Sequence, residues 1–308
     1  MSSRLSVIIV SYNVRELLSN CLVSLRKERT DFAVEIIVVD NCSTDGTDAM
    51  MHTDFSDVIF IGNGINRGFS GANNQGFEAA TGTHFFMLNP DTEVKPGALQ
   101  KLMDRCVKQE RLCIVGPKLL NSDGTLQRSA WKVETVWHYF LDIFYLRTIV
   151  WSGLYPEKKF SREFHPEAMS GAALFFPQKL YKVLGGLDPV LFWMEDTDFC
   201  YRAEKAGAGC LFFPGAEVVH HVGQSAKQNL KVTIPNQLIS KLKFWRKHRS
   251  RFTVRVAKWI CFIIIITRIA LFTLLAAANG KYRAKREAYI YALNKWYRFF
   301  YMNDNSLL

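Results

Sequence analysis

The first 90 residues alternate between short apolar runs and segments with helical spacing. Leu5 to Val10 is apolar on both faces and predicts a central strand, broken by Ser11-Tyr12-Asn13. From Val14 to Lys27 apolar residues recur at 14, 17, 18, 21, 22 and 25, the spacing of one helix face. Val34 to Asp40 predicts a second strand, followed by turn residues Asn41 to Gly46 and a helix from Thr47. Val58 to Ile61 predicts a third strand, and the glycine-rich stretch from Asn66 to Gly76 opens a helix reaching about Ala80. Phe85 to Leu88 predicts a fourth strand. It stops on Asn89, Pro90 and Asp91, because proline has no N–H for a sheet ladder. This βα alternation implies an α/β domain with a mostly parallel sheet and right-handed crossovers. Such sheets bind ligands beyond the carboxyl ends of their strands. Asp91 falls at that edge, where a carboxylate suits a hard divalent cation.

Further on, Pro96 to Gln109 reads as a helix, Cys113 to Leu120 as a strand and Asn121 to Gly124 as a turn. Residues 131–165 are irregular and aromatic, with Trp137, Tyr139, Phe140, Phe144 and Trp151. Core packing is the expectation for them, and a lid or acceptor-facing segment the alternative. Met169 to Phe176 predicts a strand and Tyr181 to Leu184 a short helix. Phe192 to Gly207 opens on acids and closes on basic residues and glycine, which signals a helix. Gly209 to Phe213 and Glu217 to His221 predict two short strands.

There is no Gly-x-Gly-x-x-Gly after the first strand and no Gly-x-x-x-x-Gly-Lys-Ser/Thr loop. That removes the usual dinucleotide-dependent dehydrogenase and P-loop NTPase readings. The seven cysteines form no Cys-x-x-Cys pair and predict reduced core thiols in a cytosolic protein. The apolar run from Leu5 is too short for a signal peptide.

Charge changes the picture only near the end of the 308 residues. From Ala226 onward there are 17 Lys+Arg against 2 Asp+Glu, whereas the preceding body is mildly acidic. Such a basic segment requires an anionic partner. It flanks a long apolar stretch, Trp259 to Ala278, which favours an anionic membrane surface over nucleic acid. The 20 residues would span roughly 30 Å of hydrocarbon. Arg268 near the middle and basic flanks on both sides favour helices lying in the interface, with a single crossing or a buried core helix as alternatives. The expected division is a body over residues 1–225 and a helical basic and apolar tail over 226–308.

Eight stretches in order carry a family resemblance. They are Val10-Ser-Tyr-Asn13, Val39-Asp-Asn-Cys-Ser-Thr-Asp-Gly46, Asn66-x-Gly-Phe-x-x-x-Asn-Asn-x-Gly76 and Leu88-Asn-Pro-Asp-Thr92, then Ser170-Gly-Ala172, Gly186-x-x-Asp188, Glu195-Asp-x-Asp198 with Arg202, and His220-x-x-Gly-x-Ser225. Residues 5 to about 225 resemble a family 2 glycosyltransferase of GT-A fold, in its bacterial rhamnosyltransferase-like branch. The resemblance implies a metal-dependent inverting transfer from a nucleotide-diphospho-sugar, such as dTDP-rhamnose or a UDP-sugar, to a lipid-linked or cell-surface glycan. It implies work at the cytoplasmic face of the plasma membrane.

The resemblance assigns donor binding to Ser11, Tyr12, Asn13, Asp40, Asn66, Gly68, Phe69, Asn73 and Asn89, with Asn74 beside them. Asp40 would accept from a pyrimidine N3–H, a role compatible with capping the following helix. The glycines from Gly68 let backbone approach a phosphate at a helix start. Mg2+ or Mn2+ would be held by Asp91 and by His220, with His221 left open as the alternative. Asn89 stands where the family has an aspartate, so coordination is assigned to Asp91 alone of that pair. Asp196 would be the general base, with Glu195 beside it, and Trp193 and Asp198 would face the acceptor or orient the helix start. Two other readings are weighed against this one. A nucleotidyltransferase shares strand-end acids and metal, but Ser11 to Arg15 is not its glycine- and basic-rich loop. A non-catalytic membrane-bound nucleotide-sugar-binding module would not need Asp91, Asp196 and His220 together.

Overall fold

The computed structural model describes residues 3–146, 153–221 and 230–301. Trp151 lies outside the described residues. The first elements are β1 (Arg4–Ser11), α1 (Arg15–Arg26), β2 (Ala33–Asp40), α2 (Thr47–Asp54), β3 (Ile59–Gly62), α3 (Gly68–Ala79) and β4 (His84–Leu88). There follow β5 (Thr92–Val94), α4 (Ala98–Val107), β6 (Cys113–Leu120), β7 (Leu126–Gln127), β8 (Ala130–Trp131) and α5 (Val136–Ile143). The chain continues with β9 (Ala168–Met169), β10 (Ala173–Pro177), α6 (Gln178–Leu184), α7 (Glu195–Lys205) and β11 (Gly209–His220). It closes with α8 (Leu230–His248), α9 (Arg251–Ala278) and α10 (Arg283–Tyr301). These pack into two compact units. One comprises residues 1–133, 155–189 and 195–222, and the other 134–154, 190–194 and 223–308.

The first unit is built on a sheet ordered β3-β2-β1-β4-β10-β6-β11-β5. Its first four strands are parallel, as the alternating pattern requires. The other half is mixed. Strand β10 runs antiparallel to both neighbours, β11 is parallel to β6, and β5 is antiparallel to β11. Met169 to Phe176, expected as one strand, is two: Ser170, Gly171 and Ala172 leave the ladder between β9 and β10. Conversely, the two strands expected from Gly209 are one, with a register shift between Phe213 and Glu217 where Pro214 and Gly215 interrupt the alternation.

Topology then sets where the loops converge. The parallel strands end at Ser11, Asp40, Gly62 and Leu88, and Ser11 pairs beside Asp40. Because β10 opposes β4 with Ala173 beside Leu88, residues Ser170–Ala172 enter at the edge where Asn89 leaves. Asn89 N donates to Ala172 O at 2.9 Å. At the far end β11 brings His220 beside Thr92 of β5.

Beneath that edge the core is dense. Ile8, Ile9, Phe86, Leu88 and Phe175 are all buried within the sheet. Helix α3 lies close on it, because Gly76 presents no side chain. A Cβ there would sit 2.6 Å from Ile8 Cγ2 and 3.2 Å from Val39 Cγ2.

The second unit is helical. Tyr139 of α5 is buried against Trp245 of α8, ring centroids 4.7 Å apart. Helix α9 has 28 residues and is long and apolar enough, by length and composition, to cross a membrane. One third of its most apolar window is buried. The arginine in that stretch is turned inward: Arg268 is 6% exposed and donates to the carbonyls of Asp142 and of Ile143, the latter at 3.3 Å. Those carbonyls belong to the last turn of α5, where Asp142 O also accepts from Tyr145 N at 3.3 Å, and a cation is favoured at this end of a helix. The Arg268 guanidinium also stacks 3.3 Å from the Tyr145 ring centroid. Core packing is thus the fate of Tyr139, Tyr155 and Phe160, while Trp137, Phe140 and Phe144 stay on the surface.

Substituting Gly76→Ala should force Ile8 or α3 to move. The expected loss is about 1–3 kcal/mol, read from the shift of the urea unfolding midpoint, with an unchanged midpoint contradicting the close packing.

Candidate active site

At the edge of β1 and β2 the loops are tied to each other. Asp40 is buried, and its carboxylate accepts from Ser43 N at 2.8 Å and Ser43 Oγ at 2.5 Å. Ser43 Oγ in turn accepts from Asn13 N at 2.8 Å, and Asn13 Oδ1 accepts from Thr44 N at 2.8 Å. Asn13 stands at φ +53°, in the left-handed region that asparagine tolerates. The N-cap position of α2 is Gly46, without a side-chain cap; Asp45 before it accepts from Thr47 N at 3.2 Å, and Asp40 does not cap the helix. Tyr12 is half exposed beside this loop, and Ser11 Oγ is buried without a hydrogen bond among the described residues.

The glycine-rich stretch joins the same edge through Asn41, which sequence reasoning did not single out as a site residue. Asn41 Nδ2 donates to Gly68 O at 3.1 Å, and Asn41 Oδ1 accepts from Arg67 N at 3.1 Å. Asn66 Oδ1 accepts from Gly68 N at 2.8 Å. Gly68 has φ +72° and open space around a would-be Cβ, and Phe69 beside it is half-buried. Asn73 is buried and donates back to Phe69 O in its own helix at 3.0 Å. Asn74 clamps the backbone of Leu187, donating to its O at 2.8 Å and accepting from its N at 2.9 Å. The side chains of Asn73 and Asn74 are thus engaged in holding α3 and the 185–188 loop.

Past β4, Asn89 O accepts from Thr92 Oγ1 at 2.7 Å, and Asn89 Oδ1 is buried without a hydrogen bond among the described residues. Asp91 Oδ1 lies 3.3 Å from His220 Nε2. His220 Nδ1 lies 2.7 Å from Gln127 Oε1, while Gln127 Nε2 donates to Asn121 Oδ1 at 3.0 Å and His220 O at 3.2 Å. The amide is thereby oriented to accept, so Nδ1 of His220 donates to Gln127 and Nε2 is turned toward the Asp91 carboxylate. His221 has both ring nitrogens engaged, with Ser122 Oγ and Glu93 Oε1, each at 2.8 Å. No motif announces Gln127, which is 93 residues from His220. No three His, Cys, Asp or Glu side chains converge among the described residues. A carboxylate and an imidazole nitrogen facing each other are nonetheless a donor set that could hold a divalent cation.

Helix α7 starts with Glu195 and Asp196. Asp196 Oδ2 accepts from Gly171 N at 3.0 Å, and Oδ1 accepts from Thr197 N at 2.6 Å and Thr197 Oγ1 at 3.3 Å. A Cβ on Gly171 would fall 3.2 Å from Asp196 Cβ, so glycine there permits the approach. Burial pushes the Asp196 carboxyl above its ordinary value, an effect the N–H groups of Gly171 and Thr197 only partly offset. Asp198, expected to face an acceptor or orient the helix start, has no open face. It is fully buried and accepts from Arg202 Nε at 2.6 Å. Arg202 also donates to Leu184 O at 2.7 Å and Gly186 O at 2.8 Å, pinning the preceding loop. Trp193, in the second unit, is exposed at φ +81°, an unusual conformation for a bulky residue.

The sequence model of glycosyl transferase family 2 matches residues 6–167. A chain 28% identical over 242 residues is an N-acetylglucosaminyl-diphospho-decaprenol L-rhamnosyltransferase of Mycobacterium tuberculosis, the match covering 73% of this chain and 78% of that one. A GalNAc(5)-diNAcBac-PP-undecaprenol beta-1,3-glucosyltransferase of Campylobacter jejuni is 29% identical over 130 residues, 41% of each chain. Among solved structures, a mannosyltransferase of Pyrobaculum calidifontis in complex with GDP-Man and Mn2+ superposes with a TM-score of 0.57 at 16% identity, covering 95% of this chain and 86% of that one. GalNAc-T7 with UDP, GalNAc and Mn2+ gives 0.58 at 20% identity, covering 79% and 50%. The fold is GT-A.

Substituting Arg202→Ala would strand the Asp198 carboxylate in the interior. The expected destabilisation is about 3–5 kcal/mol by chemical denaturation, with a large part regained in Arg202→Met/Asp198→Leu. A wild-type midpoint for Arg202→Ala would contradict the buried pair.

Proposed function

This chain belongs to glycosyl transferase family 2, and on that premise we propose that it is a metal-dependent inverting enzyme acting on a nucleotide-diphospho-sugar. The observation that carries the reading is the desolvated carboxylate of Asp196, aimed by two backbone N–H groups at the helix start. A base must be unprotonated yet avid for a proton, and a raised pKa moves a carboxylate toward that balance. Asp196 takes the proton from the acceptor hydroxyl as it attacks the anomeric carbon, and inversion follows from a single displacement.

The donor lies along the carboxyl edge of the parallel strands. Asp40 stays oriented by Ser43 and presents its remaining lone pairs to a pyrimidine, with Ser11, Tyr12 and Asn13 lining the base and ribose. Gly68 and Phe69 open α3, where N–H groups and the positive end of the helix favour phosphate. Asn66 shapes that turn and Asn73 holds it from within the helix. A divalent cation, Mg2+ or Mn2+, would be held by Asp91 and His220, and when bound it supplies positive charge against the leaving diphosphate. His220 is preferred over His221 because its Nε2 faces Asp91, whereas His221 faces Glu93 and Ser122. Asn89, two residues before Asp91, serves donor binding, its side-chain oxygen being buried without a hydrogen bond among the described residues.

Asp198 positions the helix start through Arg202, and Glu195 beside Asp196 faces the acceptor. The named relatives that use sugars on polyprenyl diphosphates support a lipid-linked acceptor, and the rhamnosyltransferase among them supports rhamnose as the sugar moved. The basic, apolar helices after residue 226 then hold the enzyme at the cytoplasmic membrane face.

Two outcomes test this. Asp196→Asn should lower transfer by about 10²–10⁴-fold with donor affinity kept, and the wild-type acid limb of kcat/KM should lie above the ordinary carboxylate range. Activity rises with pH through that limb, because the charged form is the base. Collapse of donor affinity with turnover would instead make Asp196 a binding residue. Asp91→Ala should remove activity without unfolding the chain, and full transfer in excess chelator would sink the metal role.

A further inference from the structure

Helix α5 has two apolar sides. Tyr139 and Leu141 face inward, while Trp137, Phe140 and Phe144 form a row on the outside at the spacing of one helix face. These three are 60%, 43% and 59% exposed. Trp137 stacks on Phe140 with centroids 5.5 Å apart, and Phe140 meets Phe144 edge-on at 5.9 Å. Isolated surface aromatics are ordinary, but a stacked row of three is a patch with a use. The helix is fixed in place by Arg268 of α9 at its last carbonyls. That contact also removes the one cation from the apolar length of α9, whose outer side carries Trp259, Ile263, Ile266 and Leu274. Exposed Arg251 and Arg255 precede that apolar side in the same helix.

We propose that the Trp137–Phe140–Phe144 face of α5 is a bilayer-contact surface in its own right, entering the boundary between headgroups and acyl chains of an anionic membrane. The inference rests on the membrane-bound reading above and adds to it a contact outside the tail. Two features favour lipid over a protein partner. Tryptophan and phenylalanine on one helix face, backed by a second apolar helix with arginines at its start, match the composition of interfacial helices. The 17 Lys+Arg against 2 Asp+Glu after residue 225 complement anionic headgroups.

The test uses the full chain with vesicles of phosphatidylglycerol and phosphatidylethanolamine, some carrying brominated acyl chains. Wild type should float with the vesicles, and Trp137→Ser/Phe140→Ser/Phe144→Ser should partition about tenfold or more weakly. Brominated chains should quench wild-type tryptophan emission, and the quenched fraction should fall in Trp137→Phe. That single variant decides the matter if the triple one does not fold. Flotation of wild type with an unchanged quenched fraction in Trp137→Phe overturns this inference alone, whereas failure of wild type to bind any vesicle overturns the membrane reading beneath it. A wild-type dimer that the triple variant converts to monomer, with vesicle binding kept, would assign the face to a second copy and also overturn the proposal.

Discussion

The antiparallel pairing of β10 against β4 is the constraint on which the site depends. Four parallel strands carry Ser11, Asp40 and Asn89 to one edge of the sheet, but a parallel sheet alone brings nothing opposite them. Reversing one strand makes Ser170–Ala172 arrive where Leu88 departs. Gly171 then has its N–H free of the ladder and within 3.0 Å of Asp196. The carboxylate is thus held by backbone, which has no rotamers to lose, at the start of a helix whose dipole favours its charged form. Burial acts the other way and prevails, leaving a carboxylate poised above its usual range.

The same economy governs Asp91 and His220. The seam of β5 and β11 puts His220 beside Thr92, one residue from Asp91, and the amide of Gln127 fixes which ring nitrogen faces the carboxylate. Around them, polar residues that look like ligands spend their hydrogen bonds on the scaffold. Asn74 holds Leu187, Asp198 holds Arg202, and Arg202 holds the carbonyls of Leu184 and Gly186.

How much of this was legible in the sequence follows from the range of the interactions. The parallel half of the sheet was, since Leu5–Val10, Val34–Asp40 and Phe85–Leu88 carry their own strand signal and end on turn formers. Asp91, Asp196 and His220 stood out as motif members. The reversal of β10, the clamp of Asn74 on Leu187 and the orientation of His220 by Gln127 were not legible, because each depends on a partner distant in sequence. Asn73 and Asp198, by contrast, bond within four residues, and orienting the helix start is a role the sequence allows Asp198. Asn74 and Leu187 are 113 residues apart, and Arg268 and Asp142 are 126 apart. Arg268 is instructive in this respect. Read along the chain, it is an obstacle in an apolar helix. In the fold it closes the carbonyl end of α5 and leaves the outer side of α9 apolar.

The central claim is that this edge transfers a sugar by direct displacement. The most direct measurement is proton NMR of the purified chain, in detergent with Mn2+, against a panel of nucleotide-diphospho-sugars and a polyprenyl-diphosphate-linked acceptor. The account predicts that a donor is consumed and that the first sugar product carries the anomeric configuration opposite to it. Retention of configuration, or no consumption of any donor in the panel, would contradict it.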